Sequence, residues 1–418
     1  MTSPNPVSKS PLTIFTARRI HTMDESQPEA TAVAVADGRI VAVGDLASMA
    51  IWREGRQVTV DDRFANQVLM PGLIDNHIHP FIAGILMPME HIAPEPWRQA
   101  DGSISPAART PEEYRSLLLE RSAAQPDQND WFITFGYQPS LHGTWTRATL
   151  DALFPNRPAL LVHRSFHESV LNTAGCERLG LTPEDFADNK QVDWANGHFW
   201  ETGFNRMMYK LAPYLLRPEW YDRGLGMTAK LMHQGGITTA GDMLFGAIGA
   251  DYEIAALDRV LQKGGAPMRV VNIFDVRGFA NRATGVEMGP PDRSVDFTAG
   301  LKAIEQVLER AGPKIWFPKA VKLFADGAMF SQLMMMNSPG YTDGHHGEWI
   351  MAPPVLADGV RTFWNAGWQM HVHVNGDGGM DSVLAALEAA QEMKPRFDHR
   401  FHLHHVGIST VAQIDRMA

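Results

Sequence analysis

The chain of 418 residues carries a single cysteine, Cys176. One thiol forms no intramolecular disulfide and no Cys-rich metal cluster. A disulfide framework is therefore excluded, and a reducing, cytoplasmic compartment is expected. Basic runs are also missing. Lys and Arg number 37 against 47 Asp and Glu, a formal net charge of −10, which argues against a phosphate-binding surface and so against nucleic-acid partners. No apolar stretch approaches the ~20 residues that a membrane helix needs, so no membrane partner is expected. The opening segment MTSPNPVSKSP lacks the apolar core of a secretory signal, and residues 1–10 read as a disordered tail. Repeats of about 20–50 residues and low-complexity tracts are absent too.

What is present is a large apolar fraction, 44% against 20% charged residues, enough for a sizeable globular core. The length fits one large α/β barrel with additions, or two to three ordinary domains. Residues 11–67 read as a small β unit. LTIFTARRIHTM and TAVAVADGRIVAVG are rich in β-branched residues, with a turn at Asp37-Gly38. From residue 68 to 418 short apolar strand candidates alternate with helical segments. The strands are VLMPGLID, GITTAGDM, MRVVNIFDV, AVKLFADG, WQMHVHVNGD and FHLHHVG, with helices at Ala299–Gly312 and at Gly379–Met393, where Asp381 is a candidate N-cap. Such alternation predicts parallel β structure and a TIM-like (β/α)8 barrel. Between the first two strands lies a long insertion, about 88–225, which holds much of the tryptophan.

The most specific stretch is LMPGLIDNHIHP, Leu69 to Pro80. Residues i and i+2 of a strand share a face, so His77 and His79 project together at the carboxyl end of the first strand, where barrel enzymes place their sites. Two neutral imidazoles on one face suit a divalent metal, and Asp75 shares their parity and could orient one of them. Alone, a His-x-His pair is more often a polar strand end. The later strands shift the balance. HVHVNGD offers His371 and His373, FHLHHVG offers His402, His404 and His405, and AVKLFADG sets Lys322 in an apolar strand. A buried lysine needs a partner or a modification. The plain reading is an ion pair with Asp326; the sharper one is a carbamate formed with carbon dioxide, an anion able to bridge two metals.

PGLIDNHIHP resembles the first-strand signature of the amidohydrolase superfamily of metal-dependent hydrolases. WFITFGY, TRATLDALFPNRPALLVHRSFHESVLNTAG, GITTAGD, VKLFADGAM, HVHVNGDGGMDSVLAALE and RFHLHH extend the likeness to the family 3 branch that includes N-substituted formamide deformylases. The resemblance covers nearly the whole chain and is specific to the superfamily, not to one substrate. It implies a divalent metal centre, Zn²⁺ in one or two ions, held by His77, His79, Lys322, His373 and His405, with Lys322 and His405 in catalytic roles. His404 stands where the family usually has Glu, so either His404 or His405 could be the sixth-strand ligand. His371, deeper on the face of His373, reads as a packed histidine.

His167 matches a histidine of the family's insertion and is expected, with Asp326, to contact substrate. Glu201 reads as a solvated carboxylate, and Met334, Met335 and Met336 as core more than pocket lining. The resemblance further implies a small β-sandwich-like N-terminal unit and an eighth-strand aspartate acting as general base. The strand candidates stop at six, so the expectation is a barrel truncated after about six strands, with no residue for that aspartate. The implied function is hydrolysis of an amide or formamide-type C–N bond in a small, apolar-substituted substrate by metal-activated water. The alternative is a non-catalytic metal- or ligand-binding homologue, or an inactive fragment. The oligomeric state stays open, a homo-oligomer included.

Overall fold

The computed structural model describes residues 10–287 and 289–418; of the tail expected at 1–10, all but Ser10 lies outside them. Two units result, Met1–Leu73 and Ile74–Ala418. In the first, Asp37 and Gly38 both take positive φ, 51° and 70°, as a two-residue hairpin demands, and Glu29–Ala36 pairs antiparallel with Arg39–Gly44 across them. Leu12–His21 lies on the other side of Glu29–Ala36, and Val58–Leu69 joins it in parallel. Leu12, Ile14, Ala32, Ala34, Ala36 and Met49 form a small core on this sheet. Among the described residues the unit is one four-stranded sheet, so the sandwich-like layering expected from the sequence is replaced by a single layer.

The second unit is built on six strands that lie side by side in chain order: Leu73–Ile78, Ile237–Phe245, Arg269–Asp275, Ala320–Phe324, Gln369–Val374 and His402–His405. From the second strand onward each pairs in parallel with the next. Helices fill the connections, giving the curled half-barrel of a TIM-like α/β fold. Asp296 accepts the Ala299 N–H at 2.9 Å and starts the helix Phe297–Glu305. The helix after the fifth strand runs Asp377–Met393 behind Gly376. Asp381 is therefore inside the helix, where it binds the Asn337 and Gln413 side chains, and is not its cap.

Between the first and second strands the insertion makes a sheet of its own. Its strands, in spatial order, are Val192–Asp193, His198–Trp200, Glu168–Leu171, Ala159–His163, Phe132–Tyr137 and Glu90–His91. FITFGY and ALLVH are buried at every position, which is why they read as continuous apolar runs and not as alternating strands. The helices Glu201–Leu215 and Pro218–Gln234 then return the chain to the half-barrel, and the core runs continuously from the insertion sheet into the parallel strands. No helix among the described residues is long and apolar enough to cross a membrane.

Candidate functional site

The strand ends converge as the spacing of the histidines predicts. The ring of His77 lies 5.2 Å from that of His79, 4.6 Å from His404 and 4.8 Å from His405, and the His373 and His405 rings are 4.6 Å apart. His405 and Val406 take positive φ, 75° and 48°. This kink ends the sixth strand and lets His405 line the same cavity as His77, His79 and His373. His404 is occupied otherwise. Its Nδ1 is 2.7 Å from His77 Nδ1 and its Nε2 is 2.8 Å from His371 Nδ1. Of the two candidates, His405 alone lines the cavity.

Lys322 is completely buried in the fourth strand, opposite Asp275 on one side and His371 on the other. Its Nζ makes no hydrogen bond to any described residue and lies 5.3 Å from the centre of the Phe324 ring. Burial pulls its pKa down to about 7, against a smaller opposing pull from Asp275. The histidines are held neutral. Burial first, then the Lys322 charge, lowers His77 to about 2, His79 to about 3 and His405 to about 4, and burial carries His373 well below its usual value. Neutral imidazole is the form that binds a metal.

The ion pair expected between Lys322 and Asp326 is not formed. Asp326 is fully buried, and its oxygens accept the backbone N–H groups of Met335, Asn375 and Gly376 at 2.9, 2.8 and 2.8 Å. It does not line the cavity, so the substrate contact expected of it is replaced by a structural one. Gly376 is required there, because a Cβ would come within 2.0 Å of the Met335 carbonyl oxygen.

Several residues that carry the site escaped the sequence reading. Asp242, on the second strand and nearly fully buried, has Oδ1 3.9 Å from His79 Nδ1, and burial raises its carboxyl to about 7. The signal was available: a carboxylate in an apolar strand is as costly as Lys322. Asp275 and the buried Arg277 also line the cavity. Glu201 is the clearest correction. It is not solvated but 1% exposed; its Oε2 meets His167 Nδ1 at 2.9 Å, and its Oε1 accepts the Ala328 N–H at 3.2 Å. Its φ of 43° is a left-handed conformation that a non-glycine residue holds only when its surroundings impose it. Burial opposes a charge on His167, but the Glu201 carboxylate, joined by Glu168 and Asp326, outweighs it and raises the His167 pKa.

Above these groups opens a cavity of about 510 Å³. One wall is a stripe of the helix Glu201–Leu215, with Phe204, Met208, Ala212 and Leu215 at helical spacing; Phe81, Ile82, Ile85 and Leu86 form another. Met329 and Phe330 line it, whereas Met334 is buried core.

Among the described residues no group of three or more His, Cys, Asp or Glu donors stands ready-made to hold a metal ion. The donor chemistry nevertheless fits one. His77 Nε2, His79 Nδ1 and Lys322 Nζ are buried and make no hydrogen bond to any described residue. Buried polar atoms are normally satisfied, so three such nitrogens on strands of one sheet imply a missing partner.

The chain belongs to the amidohydrolase family, whose model matches residues 65–418. It is accordingly a member of a hydrolase family, and the non-catalytic alternative is not favoured. It is 25% identical to a putative amidohydrolase of Bacillus subtilis, YtcJ, over 95% of this chain and 70% of the relative. It is 23% identical to the exoenzymes regulatory protein AepA of Pectobacterium carotovorum, over 92% and 78%, and 24% identical to the N-substituted formamide deformylase of Arthrobacter pascens, over 96% and 69%. Its fold matches that of an uncharacterized metal-dependent hydrolase from Pyrococcus horikoshii with a TM-score of 0.64 at 17% identity, over 97% of this chain and 72% of that one. A second, from Pyrococcus furiosus, matches with a TM-score of 0.62 at 20% identity, over 97% and 75%.

Proposed function

We propose that this protein is a metal-dependent amidohydrolase that cleaves an amide or formamide-type C–N bond in a small substrate with an apolar substituent. The observation that carries the reading is the trio of buried nitrogens without a hydrogen bond to any described residue, His77 Nε2, His79 Nδ1 and Lys322 Nζ; His77 and His79 line the cavity, and Lys322 is buried on a strand of the same sheet. His77, His79, His373 and His405 would hold a divalent cation, Zn²⁺ by donor type, in one or two ions. Lys322 would join them after its neutral Nζ adds to the carbon of CO₂ and sheds one proton, leaving a carbamate anion in place of a repelling ammonium. A pKa near 7 keeps much of that amine neutral at physiological pH. When bound, the cation supplies an activated water and polarises the carbonyl.

The remaining steps belong to the chain. The pair of His77 with His404 would fix the tautomer that leaves His77 Nε2 free. His167, carrying a proton that Glu201 stabilises, stands with its ring 5.6 Å from that of His373 and is placed to protonate the leaving nitrogen. The apolar walls exclude bulk water from the reacting group. The test is a panel of N-formyl amines and simple amides with and without Zn²⁺ after chelation, alongside metal analysis. Stoichiometric Zn²⁺ and Zn²⁺-dependent release of amine support the reading. A protein that binds no metal, or that hydrolyses the panel equally after chelation, overturns it.

A further inference from the structure

The large cavity does not end blindly. Beside it lies a second one of about 420 Å³, and Tyr209, Ala212, Leu216 and Ile248 line both. The first cavity has apolar walls over its polar floor; the second has cations along its wall. Arg206, Lys210 and Arg282 line it, with Glu287 as the acidic member. Arg206 is compensated, 2.7 Å from Asp188 and 3.6 Å from Glu287. Arg282 donates to the carbonyls of Gly278 and Ala247. Among the described residues neither Arg282 nor Lys210 forms an ion pair with a carboxylate. In a chain of net charge −10, two cations that form no ion pair among the described residues, beside a mostly apolar cavity, are a local exception. Low-dielectric walls focus such a potential.

The helix Glu201–Leu215 sets the scale. Glu201 marks the reacting end and Lys210 the cationic one, and nine residues at ~1.5 Å rise separate them by roughly 14 Å. Tyr209 stands where the cavities meet, its hydroxyl donating to Ala247 O at 3.0 Å.

We propose that the substrate is amphiphilic: a C–N bond to be cleaved, a medium-length hydrocarbon chain along the Glu201–Leu215 helix, and a distal anionic group that meets Lys210 and Arg282. This rests on the proposed amide hydrolysis for the reacting end, but the anion site stands on its own residues. The chain is long enough to run along the apolar wall, and an anionic tail would give Lys210 and Arg282 the ion pair that they lack among the described residues.

The experiment compares decanedioic acid monoamide with decanamide on the full chain, by direct binding to metal-free protein and by turnover with Zn²⁺. The monoamide should bind about fivefold tighter, the scale of an exposed ion pair. The preference should shrink at high salt and should vanish in Lys210→Glu and Lys210→Gln. Equal binding of the two probes by the parent protein, a preference that survives Lys210→Glu, or binding of neither overturns the proposal. Turnover separates the two readings. Hydrolysis of both amides without a monoamide preference sinks only the anion site. A Lys210-dependent binding preference with no hydrolysis of either sinks only the amidohydrolase assignment.

Discussion

The two sides of the cavity are made differently. Its floor comes from parallel strand ends, which bring His77, His79, His373 and His405 to the cavity, with Lys322 buried in the sheet beneath. Its walls come from the insertion and from loops, above all the helix Glu201–Leu215 and the turn bearing Met329 and Phe330. Register fixes the floor to within the stagger of hydrogen-bonded strands. The walls are held by side-chain packing, which tolerates substitution of similar volume. The difference teaches that the chemistry and the selection of substrate are separable here, as barrels with long loops allow.

The largest test of that separation falls on the floor. His79→Ala should abolish Zn²⁺ uptake, measured by metal analysis, and lower turnover by about a thousandfold or more, because such groups act as a unit. Retention of full metal content would place the ligands elsewhere. Glu201→Gln comes next. It keeps the volume but removes the charge that holds the His167 proton, so kcat should fall by about a hundredfold with metal content unchanged. A change in KM alone would make the pair a substrate contact.

A wall substitution should do less. Met208→Ala should raise KM for a long-chain amide by roughly tenfold, leaving kcat and metal content as they were, because lost methylenes weaken ground-state binding. A loss of metal in this variant would break the separation.

The smallest expected effect is on pH-dependent stability. Burial lowers His91 to about 4 and His163 to about 4 in the insertion sheet, and His405 to about 4 in the floor. Each has a folded pKa below its unfolded value near 6.5. The unfolded chain therefore takes up protons first, and stability present above about pH 6.5 is lost as the pH falls towards 4. Thermal melts of metal-free protein should fall by several degrees between pH 7 and 5. Zn²⁺ should restore the share owed to the floor but not that owed to His91 and His163. A pH-independent melting temperature would mean that these imidazoles are solvated.

The floor was legible because strand periodicity is strict. Two histidines at i and i+2, or a lysine inside AVKLF, state their orientation once the strand is recognised. Asp242 obeyed the same rule and was overlooked only because a single carboxylate in GITTAGDM has no patterned neighbour. The walls were not legible. Glu201 joins His167 across 34 residues through a left-handed turn, and nothing in FWETGF announces that conformation. The choice between His404 and His405 turned on a backbone kink at the end of a strand, which parity arguments do not reach. Asp326 was misjudged for a related reason: its partners are backbone amides, and any sequence can supply those.

That last point bears on how such a protein can diversify. The turn carrying Met329 and Phe330 into the cavity is tied to the fourth and fifth strands through Asp326, which grips it by the amide of Met335 and not by any side chain of the turn. Mutations along that turn can therefore accumulate and be sorted by the substrates they admit, while the anchor neither registers the change nor transmits it to the histidines. Descendants of such a chain could explore new diets at little risk to the reaction they inherited.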